Sequence, residues 1–194
     1  MDSNDCLRRL RYILDLNDNR MIKLFAEGGQ TVTRAEVSAW LKKDGDEDLE
    51  VISDKLFAQF LNGLITYKRG KSTRPSPEPE QRLTNNIIFR KLKIALDLEA
   101  EEILGILALA DFRISKHELS AFFRKVGNRH YRKCKDQVLR NFLKGLQIQR
   151  YDASSAGNEE NLDWAVSGSI GNGLNKLALR IKLSSQQLTL GYLA

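Results

Sequence analysis

Cysteine, proline and histidine are scarce in this chain, with two, three and two copies among 194 residues. The two cysteines, Cys6 and Cys134, form no framework of spaced pairs. That excludes a disulfide-stapled scaffold and points to free thiols in a reducing compartment. Both have apolar neighbours or counterparts, so each reads as a small core residue. No apolar run approaches the roughly 18 residues that a membrane span needs. The opening Met1-Asp2-Ser3-Asn4-Asp5 lacks the basic and apolar regions of a signal peptide. A cytoplasmic protein with no membrane partner is the expectation.

Groupings that do chemistry are equally sparse. His117, His130 and Cys134 are the one set of soft ligands in their neighbourhood. His130 and Cys134 are spaced for one helical face, but zinc needs four ligands in a closed site or three in a catalytic one. Asp44-Gly45-Asp46-Glu47-Asp48-Leu49-Glu50 is rich in carboxylates. It nevertheless lacks the alternating ligands and the terminal bidentate Glu of an EF-hand. Neither cysteine has a catalytic neighbourhood, and no serine sits in a nucleophile elbow. Gly168-Ser169-Ile170-Gly171-Asn172-Gly173 has neither the Lys-Ser/Thr ending nor the preceding strand of a phosphate loop. The expectation is a non-enzyme: no catalytic residue, no metal and no cofactor.

What the chain does have is a duplication. Sliding it by 82 residues pairs positions 4–67 with 86–149 without a gap, and 17 of the 64 pairs are identical. Leu14-Asp15-Leu16 meets Leu96-Asp97-Leu98, and Phe60-Leu61-Asn62-Gly63-Leu64 meets Phe142-Leu143-Lys144-Gly145-Leu146. Each copy reads as four helices. The first carries Leu7, Leu10 and Leu14, or Phe89, Leu92 and Leu96, at the spacing of one buried stripe. Ser3 or Asn4, and Asn85 or Asn86, are read as its caps. The second carries Met21, Ile22, Leu24 and Phe25, or Ile103, Leu104, Ile106 and Leu107. The third opens on Thr33-Arg34-Ala35-Glu36 or Ser115-Lys116-His117-Glu118, both capping boxes. The fourth presents Leu56, Phe57, Phe60, Leu61 and Leu64, or Val138, Leu139, Phe142, Leu143 and Leu146. Gly63 and Gly145 inside it cost about 1 kcal/mol each relative to Ala. Close approach by another helix would explain them. Trp40, Phe122, Phe60 and Phe142 read as core.

The reading is an all-α fold: two tandem homologous four-helix units with helix-turn-helix-like elements, plus a C-terminal extension to which no fold is assigned. Residues 1–68 form the first repeat and 85–151 the second. Residues 69–84, which hold all three prolines, form an exposed, semi-stiff linker. In the tail, 152–194, a stretch rich in Ser, Gly and Asn precedes alternating Leu177, Leu179, Ile181 and Leu183 and then Leu188, Leu190 and Tyr192. The alternation suggests a hairpin, which alone would be marginal in water.

The stretches Asn86-Ile87-Ile88-Phe89-Arg90-Lys91-Leu92, Ala110 to Lys125 and Arg140-Asn141-Phe142-Leu143-Lys144-Gly145-Leu146 resemble the YehS-like bacterial family. These are small proteins built from a duplicated domain of unknown function. The resemblance covers about residues 1–151. It implies a cytoplasmic, helical, duplicated protein with no assigned activity and no assigned catalytic residues. Family members stop soon after the second copy, so 152–194 departs from the pattern.

Charge separates the two copies. Residues 1–67 carry 9 basic and 12 acidic groups, a net of −3; residues 86–151 carry 14 and 7, a net of +7. An asymmetry of that kind suits an anionic partner. The third helix of each copy resembles the recognition half of a helix-turn-helix, although the connection before it is longer than in that motif. On this reading Arg113, Lys116, His117 and Ser120 face bases or phosphates. Arg124, Lys125, Arg129, Arg132, Lys133 and Lys135 then supply the electrostatic footing, with His130 and Tyr131 able to stack. The acidic Asp44–Glu50 stretch bars the first copy from that task. Two functions remain open: a nucleic-acid-binding or regulatory protein acting through the second repeat, and a protein-interaction module using an apolar groove between the repeats. The oligomeric state is left open.

Overall fold

A computed structural model describes residues 1–71 and 78–156. In the first repeat the helices are α1 (Ser3–Ile13), α2 (Asp18–Glu27), α3 (Arg34–Leu41) and α4 (Asp54–Arg69). In the second they are α5 (Asn85–Ala95), α6 (Ala100–Leu109), α7 (Lys116–Phe122) and α8 (Asp136–Ala156). The all-α, twice-four arrangement is therefore as the periodicity predicts. The last helix runs past the expected boundary at Tyr151 to Ala156. The hairpin read between Leu177 and Tyr192, and the Gly168–Gly173 stretch, lie outside the described residues.

Both capping boxes form. The Thr33 and Ser115 hydroxyls accept from the backbone N–H groups of Glu36 and Glu118, whose carboxylates accept in return. The caps of the first helix in each copy are different from those expected. Asp2 caps α1 and Thr84 caps α5, each one or two residues before those read as caps, Ser3 or Asn4 and Asn85 or Asn86. Asn4 and Asn86 are instead buried inside the helix and used elsewhere. Three aspartates close helices in the left-handed region: Asp15, Asp97 and Asp111, with φ of 51°, 54° and 57°. Aspartate tolerates this conformation better than most residues because its short side chain can hydrogen-bond locally.

In the first repeat α2 packs on α3 and α4, and α1 packs on α3 and α4. The fully buried aromatic residues cluster at the centre, with Phe25 5.3 Å from Trp40 and 5.2 Å from Phe60. The second repeat centres on Phe89, 4.6 Å from Phe142 and 5.2 Å from Phe123. Leu10, Leu92, Phe60 and Phe142 are all fully buried. Gly63 permits the approach of α2 to α4: a Cβ built there would lie 1.7 Å from the Leu24 carbonyl oxygen. Gly145 does the same for α6 and α8, with the Ile106 oxygen 1.9 Å away. Cys6 and Cys134 are buried, and the loss of solvation pushes both thiols up, Cys134 to about 12. Neither is available as a thiolate nucleophile at neutral pH.

The repeats share one core, and their seam repeats the internal symmetry. Helix α4 packs against α5. Leu83 N–H donates to Asp54 of the first repeat at 2.9 Å, and the Met1 amino group contacts Asp136 of the second. Those pairs differ by the same 82 positions as the sequence copies. Arg69 reaches Asp97 at 2.7 Å and Arg150 reaches Asp15 at 3.4 Å, near-counterparts whose aspartates are 82 positions apart and whose arginines are 81 apart. Arg150 also donates to the carbonyls of Tyr12 and Ile13. The described end of the linker is tied to the second repeat. Its Glu80 pairs at 3.0 Å with Lys91, a lysine buried at the seam that also donates to Asn62.

Candidate functional site

The buried asparagines explain how the loop after each third helix acquires a fixed shape. In the second repeat, Asn86 Nδ2 donates to the carbonyls of Phe122 (2.9 Å) and Arg132 (2.8 Å). Its Oδ1 accepts from Cys134 N–H at 2.9 Å. One helix turn later Arg90 donates to the Phe123 and Arg124 carbonyls. Arg132 N–H returns to the Ala121 carbonyl at 3.2 Å. At its tip the loop turns through Gly127, whose φ is 90°, with Asn128 N–H bonded to the Lys125 carbonyl. A segment of irregular backbone is thus tied to α5 at one end and to α7 at the other.

The first repeat holds its loop with the same bonds. Asn4 Nδ2 donates to Trp40 (2.8 Å) and Glu50 (2.7 Å) carbonyls, and its Oδ1 accepts from Ile52 N–H at 3.1 Å. Arg8 donates to the Lys42 carbonyl at 2.6 Å, and Glu50 N–H returns to Ala39 at 3.3 Å. Gly45 turns at φ 89°. The scaffold is duplicated, but the charge on it is reversed. Residues 42–53 carry two basic and five acidic groups, a net of −3. Residues 124–135 carry six basic and no acidic groups, a net of +6. In the first loop the cations are neutralised locally: Arg8 pairs with Asp44 at 2.8 Å, and Lys42 with Asp48 at 2.6 Å and Asp46 at 3.3 Å. In the second, no ion pair forms among the described residues for Arg124, Lys125, Arg129, Arg132, Lys133 or Lys135.

The basic loop and α7 enclose a notch of about 140 Å³. Helix α7 lines one wall through His117, Glu118 and Ala121. The loop lines the other through Arg124 and residues 129–132. Arg129 Nε donates to His130 Nε2 at 2.8 Å, which ties the imidazole to its neighbour and leaves the two terminal guanidinium nitrogens without a hydrogen bond among the described residues. The Glu118 carboxylate is committed to the capping box. Its hydrogen bonds from the Ser115 N–H and hydroxyl, with a smaller contribution from Arg132, hold it below the usual carboxylate range. A larger notch of about 300 Å³ lies in the first repeat between Arg11, Asp18, Ser38, Leu41 and Lys42. Its Arg11 and Asp18 neutralise each other at 2.8 Å.

The residues expected to face a nucleic acid divide into three groups. His117, Arg124, Arg129 and Arg132 converge on the basic notch. Lys125, Lys133 and Lys135 are exposed along the same loop. Arg113 and Ser120 are exposed outside the notch, while Lys116 is drawn to Glu101 of α6, whose carboxylate raises the lysine's proton affinity. The connections 28–33 and 110–115 each span six residues, longer than a tight helix-turn-helix turn. His130 and Cys134 do not share a helical face. They lie on the irregular loop, the imidazole exposed and the thiol in the core. Both notches lie within a single repeat, not in a groove between repeats. Sequence reasoning missed the asparagine clamp; the identity of Asn4 with Asn86 and of Arg8 with Arg90 was the available signal.

Among the described residues no helix is long and apolar enough to cross a membrane. A family model described as "Protein of unknown function (DUF1456)" matches the chain twice, over residues 3–70 and 85–151. The chain is 41% identical to "Uncharacterized protein YehS" of Escherichia coli (strain K12) over 152 residues, 78% of this chain and 97% of that protein. No solved structure matches it. The chain belongs to the DUF1456 family, and the two matched spans are the two four-helix repeats.

Proposed function

We propose that this two-repeat member of the family is a non-enzymatic nucleic-acid-binding protein that acts through the basic loop of its second repeat. The supporting observation is the internal comparison. One backbone scaffold occurs twice, held by the same asparagine and arginine bonds, and the second copy alone carries six cations of which none lies within ion-pair distance of a carboxylate among the described residues. A solvated face with no task usually mixes both signs. A phosphate backbone, in contrast, favours clustered Lys and Arg on a fixed support, because each contact releases a condensed counterion. Tyr131 and His130, on the same loop, can stack on bases.

Binding should therefore be strongly salt-sensitive. If all six cations meet phosphates on a duplex, log K falls against log salt with a slope of about −5. Affinity then drops about a thousandfold between roughly 50 and 200 mM salt. Fluorescence anisotropy with labelled duplex and single-stranded oligonucleotides measures this. The double variant Arg124→Glu with Lys125→Glu is expected to flatten the slope by about 2 and to weaken binding at least about tenfold. Absent binding, or binding indifferent to salt, rejects the proposal.

A further inference from the structure

Resting on that reading, we infer that the notch between α7 and the basic loop takes a phosphate monoester, the terminal phosphate of a nucleic-acid strand, in preference to an internal phosphodiester. Three observations converge on this ligand class. The first is size. About 140 Å³ corresponds to about five water molecules at roughly 30 Å³ each, room for a tetrahedral phosphoryl group.

The second is charge. Arg124, Arg129 and Arg132 bring three positive charges and Glu118 one negative, a net of +2 from these four groups. An internal diester carries a single negative charge. A terminal monoester carries about −1.5 to −2 near neutral pH and presents three strong acceptor oxygens. The Glu118 carboxylate spends its hydrogen bonds on the Ser115 N–H and hydroxyl and adds only a weaker interaction with Arg132, so the notch keeps its positive surplus. The third is donor geometry. The guanidinium of Arg129 is oriented by its Nε bond to His130, leaving a planar pair of terminal N–H groups suited to two oxygens of one phosphate. Tyr131 lines the same notch and offers its ring to the terminal base. The equivalent place in the first repeat holds Glu47, Asp48 and Glu50, so the preference belongs to the second repeat alone.

The test compares one short single strand in three forms: with a 5′-phosphate, with a 3′-phosphate and with hydroxyls at both ends. A nucleoside 5′-monophosphate is titrated separately by calorimetry. One terminal phosphate should tighten binding about tenfold or more, the gain expected from charge-assisted bonds to a second charge. Arg129→Gln and Arg132→Gln should each erase that preference, whereas Lys135→Gln, outside the notch, should weaken all forms alike and preserve it. Circular dichroism confirms that each variant is folded. Equal binding of all three strands overturns this inference and leaves nucleic-acid binding standing. Binding of the monophosphate with no binding of any strand supports the notch and overturns the nucleic-acid reading. Failure of every probe overturns both.

Discussion

Replacing Asn86 by alanine is expected to destabilise the protein by about 3 kcal/mol and to abolish tight anion binding, although no cation is removed. The side chain is buried and makes three hydrogen bonds, to the carbonyl of Phe122 at the end of α7 and to the Arg132 carbonyl and Cys134 N–H of the α7–α8 connection. Deleting it strands three backbone groups in a place where water reaches poorly, at about 1–3 kcal/mol each if nothing relaxes. Relaxation of the loop relieves part of that cost, and the same relaxation moves Arg129 and Arg132. For a chain of this size a loss of about 3 kcal/mol lowers Tm by roughly 6–12 °C. Asn4→Ala is the matched control. It cuts the equivalent three bonds, so its Tm should fall comparably, but the loop it loosens is acidic. Oligonucleotide affinity, measured well below either Tm, should then be unchanged. If both variants lose affinity equally, the functional asymmetry between repeats is wrong.

Gly63→Ala and Gly145→Ala should each cost about 2–4 kcal/mol, against the usual direction for glycine inside a helix. On propensity alone alanine is better by about 1 kcal/mol. Here the added Cβ would collide with a main-chain oxygen of the neighbouring helix, 1.7 Å away for Gly63 and 1.9 Å for Gly145. A flexible side chain could turn aside; a helical carbonyl cannot. Relief requires α2 to separate from α4, or α6 from α8. Overpacking of this kind commonly costs about 1–3 kcal/mol, and the packing loosened along the rest of each helix pair adds to it. Chemical denaturation by urea measures the difference directly. A stabilised Gly63→Ala variant would show that the two helices do not touch there.

How much of this was legible in the sequence depends on the range of each interaction. The duplication, the eight helices, both capping boxes and the tight approach at Gly63 and Gly145 follow from local chemistry or short periodicity. The asparagines do not. An amide near a helix start can cap it or clamp a distant loop, and only the fold reveals that Trp40 and Glu50 lie beside Asn4. The left-handed Asp15 and Asp97 were visible as an identical Leu-Asp-Leu pair, yet nothing local distinguishes such a turn from a solvent-facing aspartate. At the candidate site the basic run was legible as composition. The notch was not, because it depends on the turn at Gly127 folding residues 129–132 back toward α7. Lys116 looked free in the sequence, but Glu101, on the neighbouring helix, claims it.

Whether the second loop alone meets nucleic acid is decided by mapping which backbone amides respond when an oligonucleotide is added to the isotope-labelled protein. Chemical-shift changes are expected at His117 and across Arg124 to Lys135, with the structurally equivalent amides of residues 35 and 42–53 unmoved at the same ligand ratio. Changes of similar size in both loops, or centred on the first, would contradict that assignment.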